Sequence, residues 1–306
     1  MPLRVAYISS EIFNFEEKFG VTSQTLLKMI NQLHPCLWFD REAKAAAELY
    51  CSVFKNSRIT TDTPMVVMFE LNGKKIMGLN GGLMFKINPS ISLFTTFETA
   101  TETNEVWEKL IVGGKALISI GKHPWSECYG WLQDRFGFTW QLSVVGNKED
   151  KPKITPSFLF TGNRFGQAEE AIRFYSSVFD NSETDVLFHY PPGDVNAGKV
   201  MYSEFKLNKY DLIAMDGPGV HEYTFNEAVS FVVNCETQKE IDYYWSKLTD
   251  GGEESMCGWL KDKFGVSWQI IPSIIGKLMA DPKKGQRVMQ TILKMKKLDI
   301  ESLVNA

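Results

Sequence analysis

Histidine is scarce in this chain of 306 residues: His34, His123, His189 and His221 are all there are, and they are scattered. A nucleophile–histidine couple or an imidazole-rich metal centre has no support from such spacing. The five cysteines are odd in number and form no C-x-x-C pair. That argues against a disulfide framework and for reduced thiols in a cytoplasmic protein, most of them small core hydrophobes. No apolar run reaches the roughly 20 residues that cross a bilayer. The first residues lack the basic, apolar, small-residue order of a secretory signal. Charge of one sign is missing too: the formal net charge is -4, so neither nucleic acid nor a membrane is an expected partner.

What the chain does have is one phrase written twice. GWLQDRFGFTWQ at 130–141 and GWLKDKFGVSWQ at 258–269 agree at eight of twelve positions. A phrase that ends two long segments in this way indicates duplication. The length suits two domains of roughly 100–150 residues.

The segments before the phrase match as well. Residues 36–39 read as a buried strand. Asp40 reads as the cap of a helix with Ala43, Ala46, Ala47, Tyr50, Val53 and Phe54 at helical spacing. Residues 64–71 and 75–79 read as strands joined by a tight turn at Asn72 and Gly73. A second unit follows: a strand at 91–97, a helix at 101–110 closed by Gly113 and Gly114, then strands at 116–120, 129–132 and 139–145. The same order returns after a charged linker at 146–153, beginning at residues 157–160. Two insertions break the symmetry. The second repeat has extra residues at about 187–199, with Pro191, Pro192 and Gly193, and the first has GKHPWS at 121–126. Unequal loops on equal scaffolds are where function differs. Only 57–64 joins helix to strand in the first repeat where the second uses 182–199. The first repeat is therefore expected to lack most of one hairpin and to hold a shallower cleft.

Paired βαβββ units ending in this phrase resemble the PhnB-like branch of the vicinal oxygen chelate superfamily, the glyoxalase/bleomycin-resistance fold. That branch is often labelled 3-demethylubiquinone 3-methyltransferase-like. The resemblance covers about residues 33–275 and implies an α+β chain of tandem glyoxalase-like domains, each made of two βαβββ units with a curved mixed sheet. The expected division is an N-terminal extension at 1–31 with a helix over 23–33, domains at 32–147 and 154–275, and a helical tail at 276–306. In that tail Asp281 is expected to cap a helix and Asp299 a last short one. The two domains are expected to pack as an intrachain pseudo-dimer, with a further homodimer possible.

In metal-using relatives the ligands come from the first and last strands of each unit. Those positions fall at His34 and Thr155, near Ile76 and Ile213, at Ser90 or Ser92 and Ala228 or Ser230, and at Gln141 and Gln269. None is a carboxylate, and a divalent ion without an anionic ligand is poorly held. No metal and no other cofactor is therefore expected. The label's methyl transfer calls for a doubly wound sheet and a Gly-rich loop after its first strand. Here Asp40, Arg41, Glu42 and Ala43 follow that strand without glycine, and Gly162 and Gly166, which follow the second repeat's first strand, have no copies in the first repeat and read as loop glycines. The expected function is small-molecule binding in a half-barrel cleft, the reaction being unspecified. A metal-dependent isomerase, dioxygenase or thiol transferase, or the labelled methyltransferase, are the alternatives. The ligand is expected chiefly on the second repeat or between the repeats. Gln269 would form the floor, Asp216, His189 and Tyr190 the rim, and Trp259, Gln141, His34 and Trp131 are the remaining candidates.

Overall fold

A computed structural model describes residues 33–145 and 152–306. The extension helix expected over 23–33 lies outside the described residues, apart from Leu33, which opens a strand; so does most of the linker. Four βαβββ units follow one another. The first is β1 (Leu33–Phe39), α1 (Ala43–Val53), β2 (Arg58–Asp62), β3 (Val66–Leu71) and β4 (Lys74–Asn80). The second is β5 (Ile91–Phe97), α2 (Ala100–Leu110), β6 (Lys115–His123), β7 (Ser126–Gln133) and β8 (Thr139–Val144). The third is β9 (Ile154–Phe160), α3 (Ala168–Val178), β10 (Glu183–His189), β11 (Val200–Leu207) and β12 (Tyr210–Asp216). The fourth is β13 (Val229–Cys235), α4 (Gln238–Leu248), β14 (Glu253–Glu254), β15 (Trp259–Lys261) and β16 (Ser267–Pro272). Short helices α5 (Ile275–Met279), α6 (Gly285–Ile292) and α7 (Ile300–Val304) form the tail.

The hairpin expected to be missing from the first repeat is present. Its strand β2 is polar and mostly exposed, so it carries no apolar alternation that marks a strand. Two caps also differ. The first N–H of α1 goes to Asn80 Oδ1 at 3.0 Å rather than to Asp40. Asp281 holds only the turn before α6, accepting from the Lys283 and Lys284 N–H groups. Asp299 does cap α7, through the Ser302 N–H at 2.8 Å. The turn between β3 and β4 forms as expected, with positive φ at both Asn72 and Gly73.

The sheets are shared between the repeats. One runs β14-β15-β16-β13-β1-β4-β3-β2, the fourth unit joined to the first; the other runs β10-β11-β12-β9-β5-β8-β7-β6, the third joined to the second. The seams are antiparallel, His34 opposite Val232 and Ser92 opposite Ser157. No repeat closes a cleft from its own two units, as the sequence suggests it would. Duplicated units carry the same alternation, so their patterns do not specify which copy pairs with which.

Alternation assigns the faces. Leu37, Phe39, Phe231, Trp268, Phe158 and Trp140 point toward the helices into one continuous core that joins both sheets. Tyr50 of α1, for example, meets Trp140 of β8 with ring centroids 4.9 Å apart. The repeated phrase is a knot in this core. Asp134 Oδ1 accepts the Phe136 and Phe138 N–H groups, closing the β7–β8 turn. Its Oδ2 accepts the Tyr50 hydroxyl and the Trp140 indole N–H at 2.7 and 2.9 Å. Asp262 does the same with Phe264, Val266, Tyr175 and Trp268. Most of the phrase is thus structural. Gln141 and Gln269 at its end, and Trp131 and Trp259 near its start, lie on the other face.

Candidate functional site

The helix-free face of each sheet is concave. In the second sheet β7 and β11 lie two and three strands from β5, about 10 and 14 Å away if the sheet were flat. Yet Phe94 of β5 brings its ring centroid within 6.3 Å of Tyr129 on β7 and 6.2 Å of Tyr202 on β11. In the first sheet Trp38 of β1 similarly meets Trp259 of β15, three strands away, at 6.0 Å.

One row of side chains crosses the second cleft: Thr155 on β9, Phe94 on β5, Gln141 on β8 and Trp131 on β7. Gln141 is a fixed relay. Its Oε1 accepts the Tyr129 hydroxyl at 2.7 Å and its Nε2 donates to Ser92 Oγ at 2.9 Å. Burial pushes the Tyr129 phenol well up, so it holds its proton. Beside this network, Thr155 Oγ1, Ser157 Oγ and Trp131 Nε1 are buried polar atoms without a partner among the described residues. Such atoms cost free energy unless something pairs them.

The first cleft repeats the lattice with different occupants. His34 and Cys36 stand where Thr155 and Ser157 stand, and Gln269 Nε2 donates to Ser230 Oγ at 2.9 Å. Burial, with a smaller contribution from Lys75, lowers the His34 pKa well below its usual range, so the ring is neutral at pH 7. Burial pushes the Cys36 thiol up to about 12, despite hydrogen bonds with Gln269 and Ser230. Among the described residues Ser267 Oγ is a buried atom on this face with no partner. The Trp38 indole spans the cleft to Trp259, packs on Phe85 at 5.0 Å and donates to Gly82 O at 2.6 Å.

His34 and Gln141, expected to share a cleft, therefore lie in different ones, because the units exchange partners. The fourth-strand position also shifts by one. Ile76 is buried in the core, and Met77, opposite Cys36, faces the cleft. Its counterpart Ile213 lies opposite Ser157. The residues on the first cleft floor offer an imidazole, a thiol, a thioether, a hydroxyl and an amide. Those on the second offer hydroxyls and an amide. Neither set fits a hard divalent ion, and among the described residues no three His, Cys, Asp or Glu side chains are grouped to hold one.

Three rim candidates have other work. Asp216 is a cap: it accepts the Gly166 and Ala168 N–H groups at the start of α3 and the Val200 N–H. His189 pairs with Glu169 across 2.9 Å. Tyr190 sits in the β10–β11 turn, its backbone bonded to Lys199 and Gly198. Sequence reading misses Phe94, Tyr129 and Tyr202. Their signal is alternation in step with Gln141, readable only once the strand pairing is known.

The two insertions noted in the sequence both fall on the second sheet. The 187–199 segment extends the β10–β11 hairpin and 121–126 the β6–β7 hairpin, at opposite ends of the strands and on opposite edges. The equivalent edge strands of the first sheet, β14 and β15, have two and three residues. The second cleft thus has the longer walls.

The sequence model of the 3-demethylubiquinone-9 3-methyltransferase family matches residues 31–143 and again 152–271. Among solved structures, a Bacillus cereus PhnB protein described as a putative 3-demethylubiquinone-9 3-methyltransferase is 31% identical; the match covers 37% of this chain and 98% of that one, with a TM-score of 0.35. Glyoxalase I from Zea mays is 11% identical over 77% of this chain and 89% of that one, with a TM-score of 0.51. That likeness shows the tandem fold. No curated protein matches the chain. No helix among the described residues is long and apolar enough to cross a membrane.

Proposed function

Since the chain belongs to the 3-demethylubiquinone-9 3-methyltransferase family and has the glyoxalase-like fold, we propose that it binds a small molecule in the cleft of the second sheet, without a metal ion. The observation that carries this reading is the set of unpaired buried atoms on that floor, Thr155 Oγ1, Ser157 Oγ and Trp131 Nε1. A ligand that pairs them offsets a cost the free protein bears. The longer walls on this sheet support the same choice. The ranking expected from the sequence, Gln269 ahead of Gln141, is reversed in this proposal, because the three unpaired floor atoms and the longer walls lie on the second sheet.

Methyl transfer is not part of the proposal. Both sheets are built of βαβββ units, the loop from Asp40 to Ala43 has no glycine, and after β9 Gly162 opens a 3-10 turn while the Gly166 N–H is taken by Asp216, so no cradle for a nucleotide follows a doubly wound strand. The test is an unbiased metabolite screen by thermal shift on the intact protein, since a ligand that binds only the native state raises its melting temperature. Hits should lose affinity in Gln141→Leu and keep it in Gln269→Leu. A hit with the opposite dependence would place the site in the first sheet.

A further inference from the structure

Aromatic rings are concentrated on the concave face of the second sheet. Phe94 rises from the floor, with Tyr129 on one wall and Tyr202 on the other. Phe188 lies opposite Tyr202 on the edge strand, hence on the same face, and is 58% exposed. At the far wall Trp125 packs against His123 with centroids 5.0 Å apart and the rings tilted, and is 64% exposed. In the first sheet the positions of Phe94 and Tyr202 are held by Val232 and Val66, which have no ring face to offer. Phe188 and Trp125 leave ring faces open at the two edges of this cleft, whereas Tyr129 between them is only 6% exposed, and such open faces are surface left for a partner.

The polar atoms fix the size and character of that partner. Trp131 and Thr155 stand at the two ends of a row crossing four neighbouring strands, three steps of about 4.8 Å along the sheet, and the concavity brings side chains on this face closer than that. Trp131 Nε1 can only donate, whereas the Thr155 and Ser157 hydroxyls can donate or accept. The floor row of Thr155, Phe94, Gln141 and Trp131 carries no charge, and two lysines beside it are paired. Lys153 pairs with Glu204 at 2.6 Å, and Lys206 with Asp185 at 2.7 Å. Among the described residues the floor therefore offers a charged ligand no counter-ion.

Resting on the reading that the second cleft is the ligand site, we infer that it takes a flat, uncharged ring compound about two fused rings long. A hydroxyl at one end would meet Thr155 and Ser157, and the rings would run along the row toward Trp131. The test titrates the full-length protein calorimetrically with naphthol, its saturated counterpart decahydronaphthol, and naphthoate. Naphthol should bind about tenfold more tightly than either, the loss expected when ring contacts or charge neutrality are removed. Thr155→Val and Ser157→Ala, which each delete one hydroxyl and keep the shape, should each weaken naphthol about fivefold. Equal affinity for naphthol and decahydronaphthol, no naphthol binding, or unchanged binding in both hydroxyl variants overturns the inference. The cleft reading fails by a different result: a screened metabolite, whatever its rings, that loses affinity in Gln269→Leu and not in Gln141→Leu.

Discussion

Tyr175 donates its hydroxyl proton to Asp262 across 2.7 Å, joining helix α3 on the second sheet to a turn of the first. Three more donors reach the same carboxylate, yet burial still raises its pKa to about 6. The sign of the consequence follows from linkage. The folded pKa lies above the unfolded value of about 3.9, so the native state holds the proton longer. Its relative stabilisation is complete below the unfolded pKa and is lost as pH rises through about 6.

Asp262→Asn has no such titration, but its amide turns donors toward donors. It should cost about 2–4 kcal/mol at pH 4.5, and the deficit should shrink toward pH 7 by up to about 2 kcal/mol. Urea melts at the two pH values check this. A deficit that stays constant across the range would show that the carboxylate is not titrating where the burial places it.

Thr155→Val should make the free protein more stable, not less. The Thr155 hydroxyl is buried and unpaired, and removing such a group while keeping its shape relieves on the order of 1 kcal/mol. The same variant weakens the ligand. A rise in melting temperature together with a loss of affinity is the expected signature. A fall in melting temperature would mean that the hydroxyl has a partner in the folded chain.

Gln141→Leu and Gln269→Leu should destabilise by similar amounts, each about 1–3 kcal/mol. The first strands the Tyr129 and Ser92 hydroxyls, and the second strands Ser230. Their effects on ligand affinity should differ, with Gln141 dominant. Parallel denaturant melts and binding curves separate the two roles.

A protease site engineered at Lys148 should cut the chain without separating it. Each sheet takes four strands from either side of the cut, and the core crosses both sheets. Sedimentation of the nicked protein should show one species of undiminished mass until denaturant is added. Two half-sized species in native buffer would contradict the shared sheets.

Much of this fold is legible in the sequence. The repeated phrase marks the duplication, and helical spacing from Ala43 to Phe54 marks α1. The Asn72–Gly73 pair marks a hairpin that forms with both φ values positive. What escapes is non-local. Asp216 looks like a rim acid because its partners, Gly166, Ala168 and Val200, are far away in sequence. Ile76 falls to the cleft in a sequence reading because Ile213 looks like its match. In a period-two strand that slip of one residue exchanges the two faces. The site suffers most, since His34 and Gln141 can be grouped only by assuming which units pair.

The exchange of partners also sets a timetable for synthesis. Strand β1 borders β13, and the two are joined by a contact between His34 and Asn234, 200 residues apart. At about 5–20 residues per second on the ribosome, β1 leaves the tunnel roughly 10–40 s before its neighbour exists. Through that interval one edge of the nascent first unit stands open, with Cys36, Leu37 and Phe39, all buried in the finished fold, beside it. A holdase at the tunnel exit or slow initiation on a neighbouring ribosome would protect it, and closely spaced ribosomes on one message would favour pairing between chains.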